Sequence, residues 1–386
     1  MIMVVGLMHR FPRFCTLLAL LCLALGQARA VTLKEARELY ATGEYAKAIK
    51  ASEQAIAADE YDSGWRLLLL RGQLATGAYP EAKRFATQLL EDYRYRYNAE
   101  ALWLFHLAYE ANGDTESAGQ MLQVIIQFIN GQRTFSDENT IVFFGRAALK
   151  ANAYDPKQVK ENLFDRVLKS SPDNREALLA TGELALAKRD FKLAGQTFTR
   201  AIGHYPDDAD LLYGLAKAYA ESDPSQMEEP LHTAMFTNPD HVPSLLLQAH
   251  NQADAEQYDT ANGILKAIFK INPNHAASWA LQAALHTVRN EPDKAKSARA
   301  SGLKYWKTNP LVDHEIGKKL SSKYLFAEGA AHQRQALVFN KDYLPAKTQL
   351  AQDLLRLGAE PVQGHDQGKQ LPGLGLRLVT RRHKQP

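Results

Sequence analysis

Twelve histidines make metal chemistry the first thing to test in this chain. A zinc-binding helix of the peptidase type carries two His four residues apart on one face, with a Glu after the first. The one His-Glu pair lies in His314-Glu315-Ile316-Gly317-Lys318, and Lys318 stands where the second His is needed. His314 therefore reads as an exposed helical residue. His204, His232, His241, His250, His275 and His286 are scattered, and several adjoin Pro or Asn, as turn or surface residues do. No spacing pairs a nucleophile with a base. Asp92-Tyr93-Arg94-Tyr95-Arg96-Tyr97 interleaves aromatics and cations, the composition of a stacking platform for single-stranded nucleic acid. It stands alone, however, and reads as a packed loop at a helix end. Gly373-Leu374-Gly375 lacks the preceding strand and following helix of a nucleotide fingerprint. No catalytic residue, cofactor or metal site is expected.

Both cysteines, Cys15 and Cys22, fall inside an N-terminal segment with the three parts of an export signal. HRFPR gives a positive start, residues 15–26 an apolar core too short to span a bilayer, and Ala28-Arg29-Ala30 a small-x-small cleavage site. Residues 1–30 are expected to be removed. The mature chain would then hold no thiol, which suits the oxidising periplasm of a bacterium or secretion.

The chain has 386 residues, 46% hydrophobic and 23% charged, with net charge +3. The charge sits at the ends. Residues 1–30 hold three Arg and no acid, and residues 359–386 hold five cations against two acids, which leaves 31–358 at −3. A body this close to neutrality has no electrostatic reason to seek nucleic acid or an anionic membrane.

What positions these residues is a repeat. SSPDN, HYPDD, TNPDH and INPNH recur with Pro172, Pro206, Pro239 and Pro273 spaced 34, 33 and 34 residues apart. Each Pro ends an amphipathic run, because it cannot continue a helix. Between them, 175–206 reads as two helices: Leu178, Gly182 and Ala185 share one face of the first, and Ala194, Phe198 and Ala201 one face of the second. Small residues at Gly182, Ala194 and Ala201 allow close approach, and Phe198 fills what remains. Gly43-Glu44-Tyr45 with Ala48 and Ala55, Gly77 and Tyr79 with Ala82 and Ala86, and Gly113 with Ala118 mark earlier units. Leu212, Leu215, Ala216 and Tyr219, then Tyr258 and Ala261, Trp279 and Ala283, and Gly317 and Phe326 mark later ones. The pattern resembles the tetratricopeptide repeat, a 34-residue helix pair. The reading is nine helix pairs over 32–341 and one unpaired helix at about 343–357. The turn ANAYDPKQ (151–158) is long, and ESDPSQMEEP (221–230) delays a second helix.

One helix pair cannot bury its apolar face alone, so stacked pairs share a continuous core. The resemblance implies an all-α fold, a right-handed α-solenoid of stacked antiparallel helix pairs, with first helices lining a concave surface. Groove-facing residues should follow the packing positions by one step: Glu183, Tyr213, Lys217 and His250, mixed in sign. The Lys, Asn and Arg with which some such repeats clamp a peptide carboxylate are replaced by Leu179, Tyr213 and Leu246, so a C-terminal carboxylate is disfavoured.

After Leu357-Gly358 a second helix is due. Instead 359–386 has four Gly, three Pro and no helical period, and reads as a disordered basic tail. Two explanations compete: a genuine arm, or a frameshift after about codon 358, which the abrupt loss of repeat character favours. The apolar face of the last helix is left uncovered, a place for self-association. The reading is a non-catalytic scaffold or assembly factor that holds a partner protein or peptide on its concave face. The alternatives are the repeat portion of a larger exported enzyme, since exported proteins of this kind sometimes continue into a zinc-peptidase-like domain, and a glycan-binding envelope solenoid, favoured by the many Tyr.

Overall fold

A computed structural model describes residues 31–130, 137–361 and 376–378. The expected leader and most of the tail lie outside these. The described chain is a stack of helices: α1 Leu33–Ala41 with α2 Tyr45–Ala57, α3 Gly64–Ala75 with α4 Tyr79–Leu90, and α5 Ala99–Ala111 with α6 Thr115–Asn130. Then α7 Glu138–Lys150 pairs with α8, a bent run of Pro156–Val159, Lys160–Phe164 and Asp165–Ser170. There follow α9 Arg175–Ala187 with α10 Phe191–His204, α11 Ala209–Ser222 with α12 Glu228–Thr237, and α13 Val242–Asp254 with α14 Tyr258–Ile271. Last come α15 Ala276–Val288 with α16 Pro292–Gly302, α17 Pro310–Ser322 with α18 Phe326–Phe339, and the unpaired α19 Leu344–Arg356. Two three-residue strands, Ala359–Pro361 and Leu376–Leu378, pair antiparallel within the stretch read as disordered, with Glu360 opposite Arg377.

The helix starts follow from side-chain caps, which satisfy amide groups that a first turn leaves open. Thr32 and Glu35 form a reciprocal capping box on α1. Asn98, Asp137, Asn174, Asp190, Asp208 and Asn309 cap later helices. The two irregular pairs follow their sequences. The long turn before Pro156 leads into a π turn at Lys160–Phe164, and a single 3₁₀ turn, Pro224–Gln226, postpones α12.

Small residues let the pairs approach. Phe198 is fully buried between Gly182 of its own pair and Gly214 of the next; a Cβ on either glycine would run into its ring. Ala194 and Ala201 beside it are equally buried. Among the described residues the apolar clusters join neighbouring pairs only, as solenoid packing requires. The stack nevertheless coils back on itself. The turn within the first pair meets the loop after the sixth, the second meets the loop after the seventh, and the third the loop after the eighth.

Candidate functional site

The first helices of pairs four to seven carry a chain of charges. Arg175, at the start of α9, is its centre. Its guanidinium holds Glu176 Oε1 at 2.7 Å, Asp208 at 2.6 and 3.1 Å, and Asp210 Oδ2 at 2.7 Å. A planar fork with five donors suits this, since a lysine would supply one point of charge instead of several aligned bonds. Asp208 caps α11 at the same time, through the amides of Asp210 and Leu211. Asp210 continues the chain to His241 Nε2 at 3.2 Å, and His241 Nδ1 bonds Ser244 Oγ at 2.7 Å. Burial raises the Asp210 carboxyl, but the bond from His241 and the Arg175 charge outweigh it and hold the group far below the usual carboxylate range. Half of the Asp210 side chain stays open to solvent, so the chain holds an accessible acid midway.

Arg146 of α7 lies beside this chain, 12% exposed, with Nη2 3.3 Å from Glu183 and 3.7 Å from Glu176. Its Nε and Nη2 make no hydrogen bond among the described residues. Glu183 answers only part of that charge. Burial, opposed by Arg146, raises the Glu183 carboxyl above its ordinary range.

Three of the four groove residues read from the sequence meet in one cavity of about 350 Å³, walled by Leu179, Leu186, Phe198 and Pro243, with Glu183, Asp210, Tyr213 and Lys217 at its polar side. The Lys217 ammonium stands 5.7 Å from the Tyr213 ring centroid, and that ring meets His241 edge-on at 5.9 Å. His250 is not in the lining. It sits one pair further on, where burial and the charges of Lys319, Lys318 and Lys217 press its imidazole down to about 3. The first helices thus carry carboxylates and cations together on α9 and α11, and around His250 the cations Lys217, Lys318 and Lys319, of which Lys319 pairs with Asp254 at 2.7 Å. Arg146, Arg175, Asp208 and His241 were not singled out from the sequence. Three of them sit at or next to the first residue of a helix, and that recurrence at successive pair entries was the available signal.

Two expectations need correction. His314 is not exposed: it is buried, bonds Gln333 Oε1 at 2.9 Å through Nδ1 and meets Tyr343 edge-on. Nor are the other histidines all surface residues. His204 and His232 are exposed, whereas His241 is buried within the charge chain. In the Asp92–Tyr97 stretch Tyr95 is fully buried, Arg94 clamps Asp92 at 2.6–3.1 Å, and Tyr93 and Tyr97 project outward. Among the described residues no group of His, Cys, Asp and Glu could hold a metal ion, and no helix is long and apolar enough to cross a membrane.

The tetratricopeptide repeat family model matches residues 33–83 and 161–209, which contain α1–α3 and the α9–α10 pair beneath the cavity. In those two segments the chain carries tetratricopeptide repeats. It is similar to a solved tetratricopeptide repeat protein from Parabacteroides merdae at 14% identity and a TM-score of 0.45, over 66% of this chain and 98% of that one. It is also similar to yeast Tom70, at 14% identity and a TM-score of 0.42 over 84% and 80%, and to a thermophilic protein of Thermus thermophilus with the same repeat, at 18% and 0.33 over 57% and 100%. No curated protein matches the sequence. Tetratricopeptide solenoids serve in general as scaffolds for protein interaction, and proteins of the family are typically not enzymes.

Proposed function

We propose that this tetratricopeptide-repeat chain is an exported scaffold that holds a partner protein or peptide on the face formed by its first helices, at the cavity between α9, α11 and α13. The observation that carries this reading is the cavity itself. It combines apolar walls with an accessible carboxylate, an aromatic ring and an ammonium over that ring in one place, the mixture that fixes a side chain by burial and orients it by charge. The carboxylates of the cavity take cationic side chains of the partner and the cations around His250 take acidic ones, so a bound segment has a direction. The export-signal pattern of residues 1–30 supports export, with the partner in the periplasm or outside the cell.

Selection of peptides from a random library on the purified chain tests the reading. Selected peptides should lose about tenfold or more in affinity with Tyr213→Ala and with Glu183→Gln, the loss of a central aromatic or charge-paired contact. Unchanged affinity in both variants sinks the cavity as the site. N-terminal sequencing of the protein from a periplasmic fraction checks export: a chain that begins at Val31 supports it, and one that begins at Met1 does not.

A further inference from the structure

The turns inside the helix pairs are of two kinds. Gly43, Gly77 and Gly113 hold a left-handed residue in the first three pairs, whereas Asn152, Arg189, Glu256, Asn290 and Tyr324 hold the same conformation later. The backbone geometry alone therefore does not require glycine. What differs is the surroundings. A Cβ on Gly43 would collide with Asn238 Oδ1 and one on Gly77 with Asn272 Oδ1, and one on Gly113 would lie 2.9 Å from the Trp306 ring.

Two of these contacts are built alike. Tyr45 and Tyr79 each follow the turn glycine by two residues. The Tyr45 hydroxyl accepts from Asn238 Nδ2 at 3.2 Å, and the Tyr79 hydroxyl accepts from Asn272 Nδ2 at 3.1 Å. Each asparagine also caps its own loop, since Oδ1 accepts from the amide of Asp240 or Asn274. Asn272 Nδ2 further donates to Ala75 O, and Asn274 Nδ2 to Gly77 O. Tyr79 meets Tyr305 edge-on at 6.0 Å beside the third contact. Asn238 and Asn272 are 3% exposed. Three rungs thus join turns to loops nearly 200 residues away in sequence, each to the loop five pairs on.

None of the apolar clusters of the described residues spans this seam. Pairs hold their neighbours by buried hydrocarbon, but the two coils hold each other by hydrogen bonds, glycine contacts and the Tyr79–Tyr305 ring pair. The seam is the contact that can open while every pair stays folded. The loop of its first rung also reaches the cavity: His241, three residues after Asn238, lies 3.2 Å from Asp210, which lines it. Tyr40 of α1 packs on Tyr45 with ring centroids 5.2 Å apart, and it lies within electrostatic reach of Arg175 and of Asp210, which lines the cavity.

We propose that the three rungs form a latch: pairs one to three close onto the loops after pairs six to eight, and the state of the latch sets access to the cavity at Glu183, Tyr213 and Lys217. The latch does not depend on the groove's binding a peptide, and a chemical probe reads it without any partner. In a full chain with Cys15 and Cys22 replaced by serine, spin labels at Lys47→Cys and Phe236→Cys flank the first rung on exposed positions. With Tyr45→Phe, Tyr79→Phe, Asn238→Ala and Asn272→Ala combined, a longer component should enter the label–label distance distribution while the far-ultraviolet helical signal holds. In a separate chain, Lys217→Cys should react several-fold faster with a bulky polymer-linked maleimide once the rungs are removed, and at the same rate with N-ethylmaleimide. An unchanged distance distribution overturns the latch. A changed distribution with an unchanged ratio of the two labelling rates overturns its control of the cavity. If the combined variant loses helical signal, Tyr45→Phe alone decides by the same two readings, because it removes one hydrogen bond and little packing.

Discussion

The turn after α3 and the turn after α17 share a backbone, with Gly77 at φ +75° and Tyr324 at φ +64°. Gly77 is buried under Asn272, while Tyr324 is 83% exposed. The same left-handed residue closes a helix in both places, and only one of them has anything above it. A glycine in a repeat is easily taken as a mark of the repeat. Here the repeat tolerates Arg, Glu, Asn and Tyr at that place, and the glycines of the first three pairs answer to a second coil of the same chain.

The largest effect should come from filling that contact without changing the backbone preference. Asparagine holds the equivalent conformation at Asn152 and Asn290, so Gly77→Asn adds bulk and little backbone strain. It should destabilise by about 1–3 kcal/mol, the usual cost of overpacking, or open the seam at that rung. The reverse change, Asn290→Gly, should move stability by less than about 1 kcal/mol, since both residues take the left-handed conformation readily. Urea unfolding of the two variants beside the parent measures both. Equal effects would mean that the comparison rests on backbone alone.

That seam could not be seen in the sequence, and the reason is physical. Pair formation is local: Pro172, Pro206, Pro239 and Pro273 end helices where they stand, and Gly182, Ala194 and Ala201 mark close approach within one unit. The position of Glu183, Tyr213 and Lys217 on one side of the stack follows from helical phase, and they do share a cavity. The ion pairs of Arg175 across to the next pair do not follow from phase, because a long side chain can reach Asp208 or Asp210 only once the angle between adjacent pairs is set. His314 was misread because α17 buries polar residues, Asp313 and Lys319 among them, so an apolar period does not report its faces. The Asn238–Tyr45 bond depends on the pitch of the superhelix, which accumulates small rotations over five pairs and leaves no local trace.

Gly358 gives a finer test. It too is left-handed, at φ +82°, but a Cβ there would meet nothing within 4 Å. Gly358→Ala should cost only the conformational penalty, about 1 kcal/mol, whereas Gly77→Ala should cost that and the collision as well. Tyr324→Gly works in the other direction. It should gain up to about 1 kcal/mol by relieving the left-handed strain, less the entropy that glycine adds to the unfolded chain. If Gly358→Ala proves as costly as Gly77→Ala, the seam is not what sets the glycines apart.

The smallest effect separates two rungs from each other. Each of their loops carries a histidine three residues after its asparagine, His241 after Asn238 and His275 after Asn272, and each bonds a serine through Nδ1. His241 Nε2 faces Asp210 Oδ1 at 3.2 Å. Among the described residues His275 has no carboxylate partner, and burial pushes it down to about 4 from an ordinary 6.5. The folded state therefore binds the His275 proton less readily than the unfolded chain does. That stability is fully present above about pH 6.5 and is lost as the pH falls towards 4, with a slope that approaches one proton. Acid should loosen the Asn272–Tyr79 rung before the Asn238–Tyr45 rung. Hydrogen exchange at the amides of Gly77 and Asn274, compared with those of Gly43 and Asp240 at pH 7 and pH 5 after correction for intrinsic rates, reads the difference. His275→Gln, which cannot titrate, should abolish it, and a difference that survives this variant would place the cause elsewhere in the seam.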